Sequence, residues 1–253
     1  MTRLAELESE MGEAITLDSL TRDFQIFQRR RGHRTSVDDL LTAWYATRGP
    51  APRTILDLGT GIGSVGLALA WVYREAHLTA VEVQDVSFAL FRENVAVNGL
   101  EDRVVAIHAD LRDLPAGTFD LVTGSPPYFD VRSGIVSADP QRAGARFELC
   151  GDVTDYCRAA ARNLAEQGRF VFCFPTVQRD RALNAVTDAQ LSVHTMRDVI
   201  PREGIAPLFT LFACGRDAGA GVVERPFVVR DAEGVHTEEM TVARAVFGMR
   251  DQR

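Results

Sequence analysis

The amino-acid sequence predicts an α/β fold built on an open, mostly parallel sheet. From residue 54 onward, short β-rich runs alternate with amphipathic stretches, the pattern of parallel strands joined by helical crossovers. A glycine-rich segment, DLGTGIGSVG (57–66), lies where the first strand would pass into its helix. Acidic residues accompany the ends of the first three predicted strands, at the edge where sheets of this kind bind ligands.

Seven strands and several helices are predicted along the chain. The strands are TILDLG (54–59), LTAVEV (78–83), VVAIHAD (104–110), FDLVTGS (119–125), RFVFCF (169–174), LSVHTMRDVI (191–200) and LFTLFACG (208–215). The last two are close enough in sequence to pair antiparallel at the sheet edge. Helices are predicted over 64–75, 86–97 and 153–167, with NGL (98–100) as a C-cap. A long loop (129–151), a hairpin (227–237) and a final helix complete the chain.

Composition excludes several classes of protein. No apolar run reaches membrane-spanning length, and the acidic N-terminus lacks the features of a signal peptide, so we expect a cytoplasmic protein without a membrane partner. The four cysteines lack C-x-x-C spacing and the five histidines are scattered, so neither a metal site nor a disulfide framework is expected. A net charge of −7 argues against indiscriminate nucleic-acid binding. Local basic patches remain, and RRRGHR (29–34) is one of them.

The glycine-rich segment indicates a nucleotide-type ligand. Gly61, Gly63 and Gly66 spell G-x-G-x-x-G, which by itself also fits a dinucleotide. Asp57 lies in the strand just before these glycines. Its carboxylate suits the ammonium group of a ligand and would repel a pyrophosphate. The pattern therefore favours S-adenosylmethionine over NAD.

Two further acidic residues support a nucleoside at this edge. Glu82 ends the second predicted strand, where a carboxylate can accept both ribose hydroxyls. Asp110 ends the third strand, at a height suited to an adenine amino group. Both S-adenosylmethionine and NAD contain a ribose, so Glu82 does not distinguish between these two cofactors.

The fourth predicted strand ends in Ser125, Pro126, Pro127 and Tyr128. The prolines stop strand pairing and stiffen the backbone, so that its carbonyls face outward. The stretch resembles the N/D/S-P-P-Y/F motif of methyltransferases that act on planar amino nitrogens. In that chemistry the side chain of the first residue and the first proline carbonyl accept hydrogen bonds from the amine and aim its lone pair, while the aromatic residue stacks on the base.

The resemblance extends over most of the chain. The segments TLDSL (16–20), RRGHRTSVDDLLTAWYA (30–46), ILDLGTGIGSVGL (55–67), ENVAVNGL (93–100), SPPYF (125–129) and QRAGARFE (141–148) occur in the same order as in the bacterial tRNA(Val) adenine-N6 methyltransferases. Enzymes of that family modify the adenine beside the anticodon.

This resemblance implies a Rossmann-like class I methyltransferase with helices on both faces of a seven-stranded sheet and an antiparallel edge strand. It implies an N-terminal extension and cofactor-covering segment (1–50), a methyltransferase domain (51–217), and a C-terminal hairpin and helix (218–253). S-adenosyl-L-methionine would be the cofactor, S-adenosyl-L-homocysteine the product and tRNA the partner. The residues expected to hold the cofactor are Ser36, Asp38, Asp57, Gly59, Thr60, Gly61, Gly63, Glu82, Asp110 and Ser125. Those expected to meet the RNA are Arg29, Arg30, Arg31, Arg142 and Arg146.

One position departs from the family pattern. The family usually carries asparagine where this chain has Ser125, and a hydroxyl reaches less far than an amide and is also a donor. Serine is more familiar in DNA amino-methyltransferases, so the reaction type is better defined than the target base.

Other functions remain open from the sequence. A protein glutamine methyltransferase would need a longer helical region before the cofactor motif, and a DNA amino-methyltransferase would need a target-recognition region. An rRNA amino-methyltransferase, a catalytically inactive RNA-binding scaffold and an NAD-dependent oxidoreductase are the remaining alternatives.

Overall fold

A computed structural model describes residues 2–130, 132 and 136–249, and it confirms the α/β architecture. The strands are β1 (Ile15–Ser19), β2 (Gln25–Arg29), β3 (Thr54–Leu58), β4 (His77–Glu82), β5 (Val104–His108), β6 (Phe119–Gly124), β7 (Leu164–Pro175), β8 (Ser192–Ile200), β9 (Phe209–Gly215), β10 (Val222–Val223) and β11 (Phe227–Val228). The helices are α1 (Arg3–Met11), α2 (Val37–Ala46), α3 (Ser64–Val72), α4 (Asp85–Val97), α5 (Pro140–Arg146), α6 (Val153–Asn163), α7 (Arg179–Asp188) and α8 (Glu238–Ala245).

The seven predicted strands, β3 to β9, form the main sheet in the order β8-β9-β7-β6-β3-β4-β5. Neighbouring strands are parallel except that β9 is antiparallel to both β7 and β8. The antiparallel strand, β9, therefore lies between β7 and β8 and not at the end of these seven strands. After β7, helix α7 leads the chain to β8, which leaves an open position beside β7, and β9 then returns to fill that position. The two-residue strands β10 and β11 both pair with β8 and extend this side of the sheet.

Helices cover both faces of the sheet, because its strands alternate their apolar side chains between them. Ile55 of β3 packs in the cluster that includes residues of α2, α3, α4 and α8. The adjacent Leu56 packs in the cluster formed with α6 and α7. Because strands β3 to β6 run parallel, they all end at the same edge of the sheet. The glycine-rich segment and the prolines follow at this edge.

The N-terminal residues pack on the sheet face that is covered by α2, α3, α4 and α8. Strands β1 and β2 form a separate antiparallel hairpin. The buried side chain of Asn94, on α4, accepts a hydrogen bond from the Phe27 N–H (2.6 Å) and donates to the Phe27 and Ile62 carbonyls. This amide joins the hairpin, α4 and the glycine-rich segment. The division of the chain at residues 50 and 217 stays a prediction.

Several predicted boundaries shift. The helix predicted over 153–167 ends at Asn163, because Leu164 already pairs with Phe119 as a strand. The helix predicted over 64–75 ends at Val72. The predicted loop 129–151 contains α5, whose N-terminus is capped by Asp139; positions 131 and 133–135 lie outside the described residues. The NGL cap is confirmed, with Gly99 at φ +63°, and the predicted hairpin is reduced to one bridge between Arg230 and His236.

No helix within the described residues is long and apolar enough to cross a membrane. The same residues contain no cluster of histidine, cysteine and carboxylate side chains suited to a metal ion.

Candidate active site

The glycine-rich segment turns sharply between β3 and α3. Gly59 and Gly61 both have φ +60°, and Gly63 has φ +97°, a region that side chains disfavour. A Cβ atom on Gly59 would also lie 2.0 Å from the Tyr156 hydroxyl oxygen, whereas one on Gly61 would meet open space. Gly59 is therefore required by packing, and Gly61 leaves its backbone accessible from the cleft that it lines.

Asp57 holds this turn in place. Its buried carboxylate accepts hydrogen bonds from the Thr60 hydroxyl (2.6 Å), the Thr123 hydroxyl (2.7 Å) and the Gly66 N–H (3.1 Å). Burial raises the pKa of Asp57, and these three donors oppose the rise. The carboxylate lines the cleft, and each of its oxygens already accepts at least one hydrogen bond from the protein.

Glu82 fixes the turn from the neighbouring strand. Its carboxylate accepts from the Gly61 N–H and the Gln84 N–H, both at 2.8 Å. Glu82 is only 4% exposed, and burial raises its pKa. Because each carboxylate oxygen has a second lone pair, Glu82 can still accept hydrogen bonds from a ligand in the cleft.

Unlike Asp57 and Glu82, Asp110 is engaged in an ion pair with a neighbouring arginine. It caps the short 3₁₀ helix Leu111–Asp113 and forms an ion pair with Arg112 at 2.5 Å, and this guanidinium lowers the pKa of the Asp110 carboxyl. The neighbouring residues Ala109 and Leu111 form the cleft wall at this point.

The segment after β6 forms a stiff lip at the cleft. Pro126 and Pro127 are buried, and Ser125 is half-buried. The Tyr128 hydroxyl donates to Asp38 Oδ2 at 2.8 Å, and the Tyr128 ring packs edge-on against Phe174, with centroids 6.1 Å apart. The ring that was predicted to stack on a base is thus anchored at its hydroxyl end.

The lip is also tied through its backbone and through β7. Gln178 donates to the Tyr128 carbonyl at 2.7 Å, and the Tyr128 N–H donates to the Arg146 carbonyl at 3.1 Å. The Cys173 thiol of β7 lies 3.7 Å from the Ser125 hydroxyl, as donor to it. These contacts hold Ser125 in the lining of the cleft.

The start of α2 contributes another part of the cleft wall. Ser36 caps this helix, and its hydroxyl donates to Asp38. Asp39 accepts a hydrogen bond from the Ser36 N–H at 3.1 Å, and its Oδ2 atom lies 3.2 Å from the Ser36 hydroxyl oxygen. Asp38 faces Tyr128, whereas Asp39 lines the cleft. Burial and the adjacent Asp38 charge raise the pKa of Asp39.

These elements enclose a cleft of about 880 Å³, counting the space open to solvent. The predicted residues that line it are Asp57, Gly59, Thr60, Gly61, Glu82, Ser125 and Pro127. The other predicted cofactor and lip residues, Ser36, Asp38, Gly63, Asp110, Pro126 and Tyr128, lie around this lining and support it.

Comparison with known proteins gives the family. A family model described as "Methyltransferase small domain" matches residues 38–178, which include the start of α2, the glycine-rich segment and the lip. The chain belongs to the methyltransferase small-domain family. The predicted methyltransferase activity and class I methyltransferase fold are thereby confirmed.

Individual relatives agree with this family. The chain is 29% identical to a tRNA1(Val) (adenine(37)-N6)-methyltransferase of Aeromonas hydrophila over 86% of this chain and 91% of that protein. It is 30% identical to the enzyme of the same name from Porphyromonas gingivalis, over 71% and 70% of the two chains. A solved structure of a predicted O-methyltransferase from Agrobacterium tumefaciens superposes with a TM-score of 0.67 at 18% identity, covering 86% of this chain and 99% of that one. That likeness concerns the fold alone.

The sequence interpretation missed several residues that line the cleft of this methyltransferase. They are His33, Asp39, Gln84, Ser87, Cys150 and Tyr156. Asp39 directly follows a predicted residue, and only the rotation of α2 decides which of the two carboxylates faces the cleft. Cys150 belongs to the long predicted loop (129–151), in which the sequence singled out no cofactor-binding residue. Tyr156 carried no signal, because its contact with Gly59 joins distant parts of the chain.

The five predicted RNA-contacting arginines divide into two groups. Arg29 is mostly buried, and its guanidinium pairs with Glu13 at 2.5 Å and with Asp139 at 2.6 Å. It ties β2 to the start of α5 and is engaged inside the protein. The other four side chains are exposed: Arg30, Arg31, Arg142 and Arg146.

Proposed function

We propose that this methyltransferase transfers a methyl group from S-adenosylmethionine to the exocyclic N6 amino group of an adenine in a tRNA anticodon loop. One observation carries the proposal. The Ser-Pro-Pro-Tyr lip stands at the end of β6 beside the cleft, in a chain whose relatives are named tRNA1(Val) (adenine(37)-N6)-methyltransferases.

The residues of the cleft fit S-adenosylmethionine. This cofactor carries a net positive charge, and the walls supply the carboxylates of Asp39, Asp57 and Glu82. Glu82 retains acceptor capacity for ribose hydroxyls, and the Gly61 backbone lies open to the ligand. The proposed contact of Asp110 with the adenine would compete with its ion pair to Arg112. When bound, the cofactor supplies an electrophilic methyl group.

The chain's own residues position the amine that accepts this methyl group. The Ser125 hydroxyl and the Pro126 carbonyl would accept hydrogen bonds from the amine N–H groups and thereby aim its lone pair across the cleft. Positioning of this kind lowers the barrier because the reactants no longer lose their freedom in the reacting step. The hydrogen bond from Tyr128 to Asp38 keeps the aromatic wall of this site in one orientation.

The exposed arginines would bind the RNA backbone around the target. Arg142 and Arg146 belong to α5 and so to the loop that follows the lip, while Arg30 and Arg31 follow β2. Because the protein is acidic overall, RNA affinity would rest on these local cations. The base must leave its stack to reach the cleft, which favours a flexible anticodon loop. Such a substrate implies action in the cytoplasm.

The proposal is tested by transfer of radiolabelled methyl groups from S-adenosylmethionine to total tRNA, total rRNA and total protein in separate reactions. Label in tRNA alone is the expected result, with Ser125→Ala as the active-site control. Label confined to rRNA or to protein would replace the proposed substrate. Absence of label despite calorimetric binding of the cofactor would favour a catalytically inactive scaffold.

A further inference from the structure

The carboxylates around the cleft differ in how much of their hydrogen-bonding capacity the protein already uses. In three of them, both carboxylate oxygens accept a hydrogen bond from the protein. Asp57 accepts from Thr60, Thr123 and Gly66, Glu82 accepts from Gly61 and Gln84, and Asp38 accepts from Ser36 and Tyr128. Each of them shapes the backbone or the lip.

Asp39 is the exception. Its Oδ2 atom accepts a hydrogen bond from the Ser36 N–H. Across the described part of the chain, no hydrogen-bond donor is found on Oδ1, although the side chain lines the cleft. Asp39 is half-buried, so this oxygen is left to the cleft, and a cation brought by a ligand can pair with it without displacing a donor of the protein.

The position of Asp39 identifies the ligand group that it would meet. Glu82 marks the ribose, and the methyl group must face Ser125, where the acceptor amine binds. The third arm of S-adenosylmethionine, its aminocarboxypropyl chain, is then left with the wall formed by the start of α2. Asp39 supplies the available acid on this wall, since Asp38 is directed to Tyr128.

We propose that Asp39 binds the α-ammonium group of S-adenosylmethionine and releases its proton to solvent when the cofactor binds. The inference rests on the proposed function, because it presupposes this cofactor. The proton balance is simple: the neutral carboxyl loses one proton, no other bond changes, and the resulting carboxylate pairs with the ammonium.

The electrostatic surroundings support this proton release. The titratable groups around Asp39 are Asp38 on α2, Asp57 on β3, Glu82 at the end of β4, His33 ahead of α2, and the phenols of Tyr128 and Tyr156. Burial and the charge of Asp38 raise the pKa of Asp39 to about 8. Burial lowers the pKa of His33. Near neutral pH its imidazole is therefore uncharged and does not offset the negative charge of the carboxylates around Asp39.

Calorimetry at about pH 7, where a free α-amino group is still mostly protonated, tests the inference in buffers of different ionisation enthalpy. The wild-type protein should release close to one proton per S-adenosylmethionine bound. S-adenosylhomocysteine, which keeps the ammonium, should release a proton as well. Methylthioadenosine, which lacks the aminocarboxypropyl arm, should bind without proton release.

The variant Asp39→Asn keeps the size of the side chain and removes its charge. It should bind S-adenosylmethionine about tenfold more weakly, a loss typical of one charge-assisted contact, and release no proton. Asp102→Asn is the matched control, because this exposed residue precedes β5 at the opposite edge of the sheet and should behave as wild type.

The outcomes separate the inference from the proposed function. Cofactor binding without proton release, or wild-type affinity in folded Asp39→Asn, would overturn the role of Asp39 and leave the methyltransferase proposal standing. Proton release with S-adenosylmethionine but not with S-adenosylhomocysteine would also overturn it, because the sulfonium would then be the partner. A wild-type protein that binds none of these ligands would overturn the proposed function itself.

Discussion

The Tyr128 hydroxyl donates a 2.8 Å hydrogen bond to the Asp38 carboxylate, joining residues that lie 90 positions apart in the sequence. The bond connects the lip after β6 with the start of α2. The same hydroxyl lies 3.3 Å from the Cys173 thiol, and this thiol contacts Ser125. The proposed amine-binding residue is therefore supported by a chain of polar contacts that begins at α2.

Loss of this hydroxyl should destabilise the protein. In Tyr128→Phe the Asp38 carboxylate loses one of its two donors, and we expect the free energy of unfolding to fall by about 1–3 kcal/mol. Urea unfolding measures this change. Tyr128→Ala, which also removes the ring, should nearly abolish methyl transfer while cofactor affinity stays close to wild type. Parallel loss of cofactor binding would contradict the assignment of the ring to the substrate.

Ser125→Ala should separate catalysis from cofactor binding. The variant removes a proposed acceptor for the amine and leaves the glycine-rich turn intact, so we expect kcat to fall by about 100-fold, as for loss of one catalytic hydrogen bond. Single-turnover methyl transfer and calorimetry report the two effects. Unchanged kcat would show that the amine is held by other groups.

Arg29 and Arg30 should behave differently although they are adjacent. Arg29→Ala leaves Glu13 and Asp139 without their shared partner, and because both carboxylates keep contact with water we expect a loss of about 1–2 kcal/mol in unfolding free energy. Arg30→Ala should leave stability unchanged and weaken tRNA binding. Equal stability of the two variants would contradict the structural role of Arg29.

Arg142 and Arg146 should contribute to RNA affinity in a salt-dependent way. Replacing either by alanine should weaken tRNA binding and reduce the slope of log affinity against log salt by about one, with cofactor affinity unchanged. Filter binding over a salt series measures this slope. Arg53→Ala is the control, because this exposed arginine precedes β3 at the far edge of the sheet; an equal effect there would indicate non-specific attraction.

The raised pKa of Asp39 also makes a prediction for stability without any ligand. The folded protein holds this proton up to about pH 8, whereas an unfolded aspartate releases it near pH 4. The unfolded state therefore binds fewer protons between these values, and the stabilising contribution of the proton is lost as pH rises.

Asp39→Asn removes this dependence. Its advantage over wild type in unfolding free energy should grow by more than about 1 kcal/mol between about pH 5 and pH 7. Chemical denaturation at both pH values measures the difference. A constant difference would show that Asp39 is ionised in the free protein.

The fold could be predicted because its signals are local. Apolar runs such as TILDLG and VVAIHAD mark the strands, and glycines and prolines mark the turns that end them. The position of β9 could not be predicted, because a strand that pairs with β7 and β8 is placed by competition between whole strands. The early end of α6 has the same cause, since pairing of Leu164 with Phe119 outweighs a sequence that could have continued the helix.

The site was predicted as a set of residues more accurately than as a set of contacts. Asp57 and Glu82 do line the cleft, but their hydrogen bonds to Thr123 and Gly61 depend on the register of neighbouring strands. Asp39 lines the cleft in place of the predicted Asp38. Which of the two side chains faces the cleft depends on the rotation of α2 about its axis, and this rotation is set by the packing of α2 against β7 and β9. The burial of Arg29 depends on α5, which the sequence analysis had placed in a loop.

The most direct test of the account is nucleoside analysis of an unmodified valine tRNA transcript after incubation with the protein and S-adenosylmethionine. We predict N6-methyladenosine at the adenine beside the anticodon, and loss of this product when that adenine is replaced by guanine. A methylated cytidine or guanosine, or methyladenosine that persists in the substituted transcript, would contradict the proposed target.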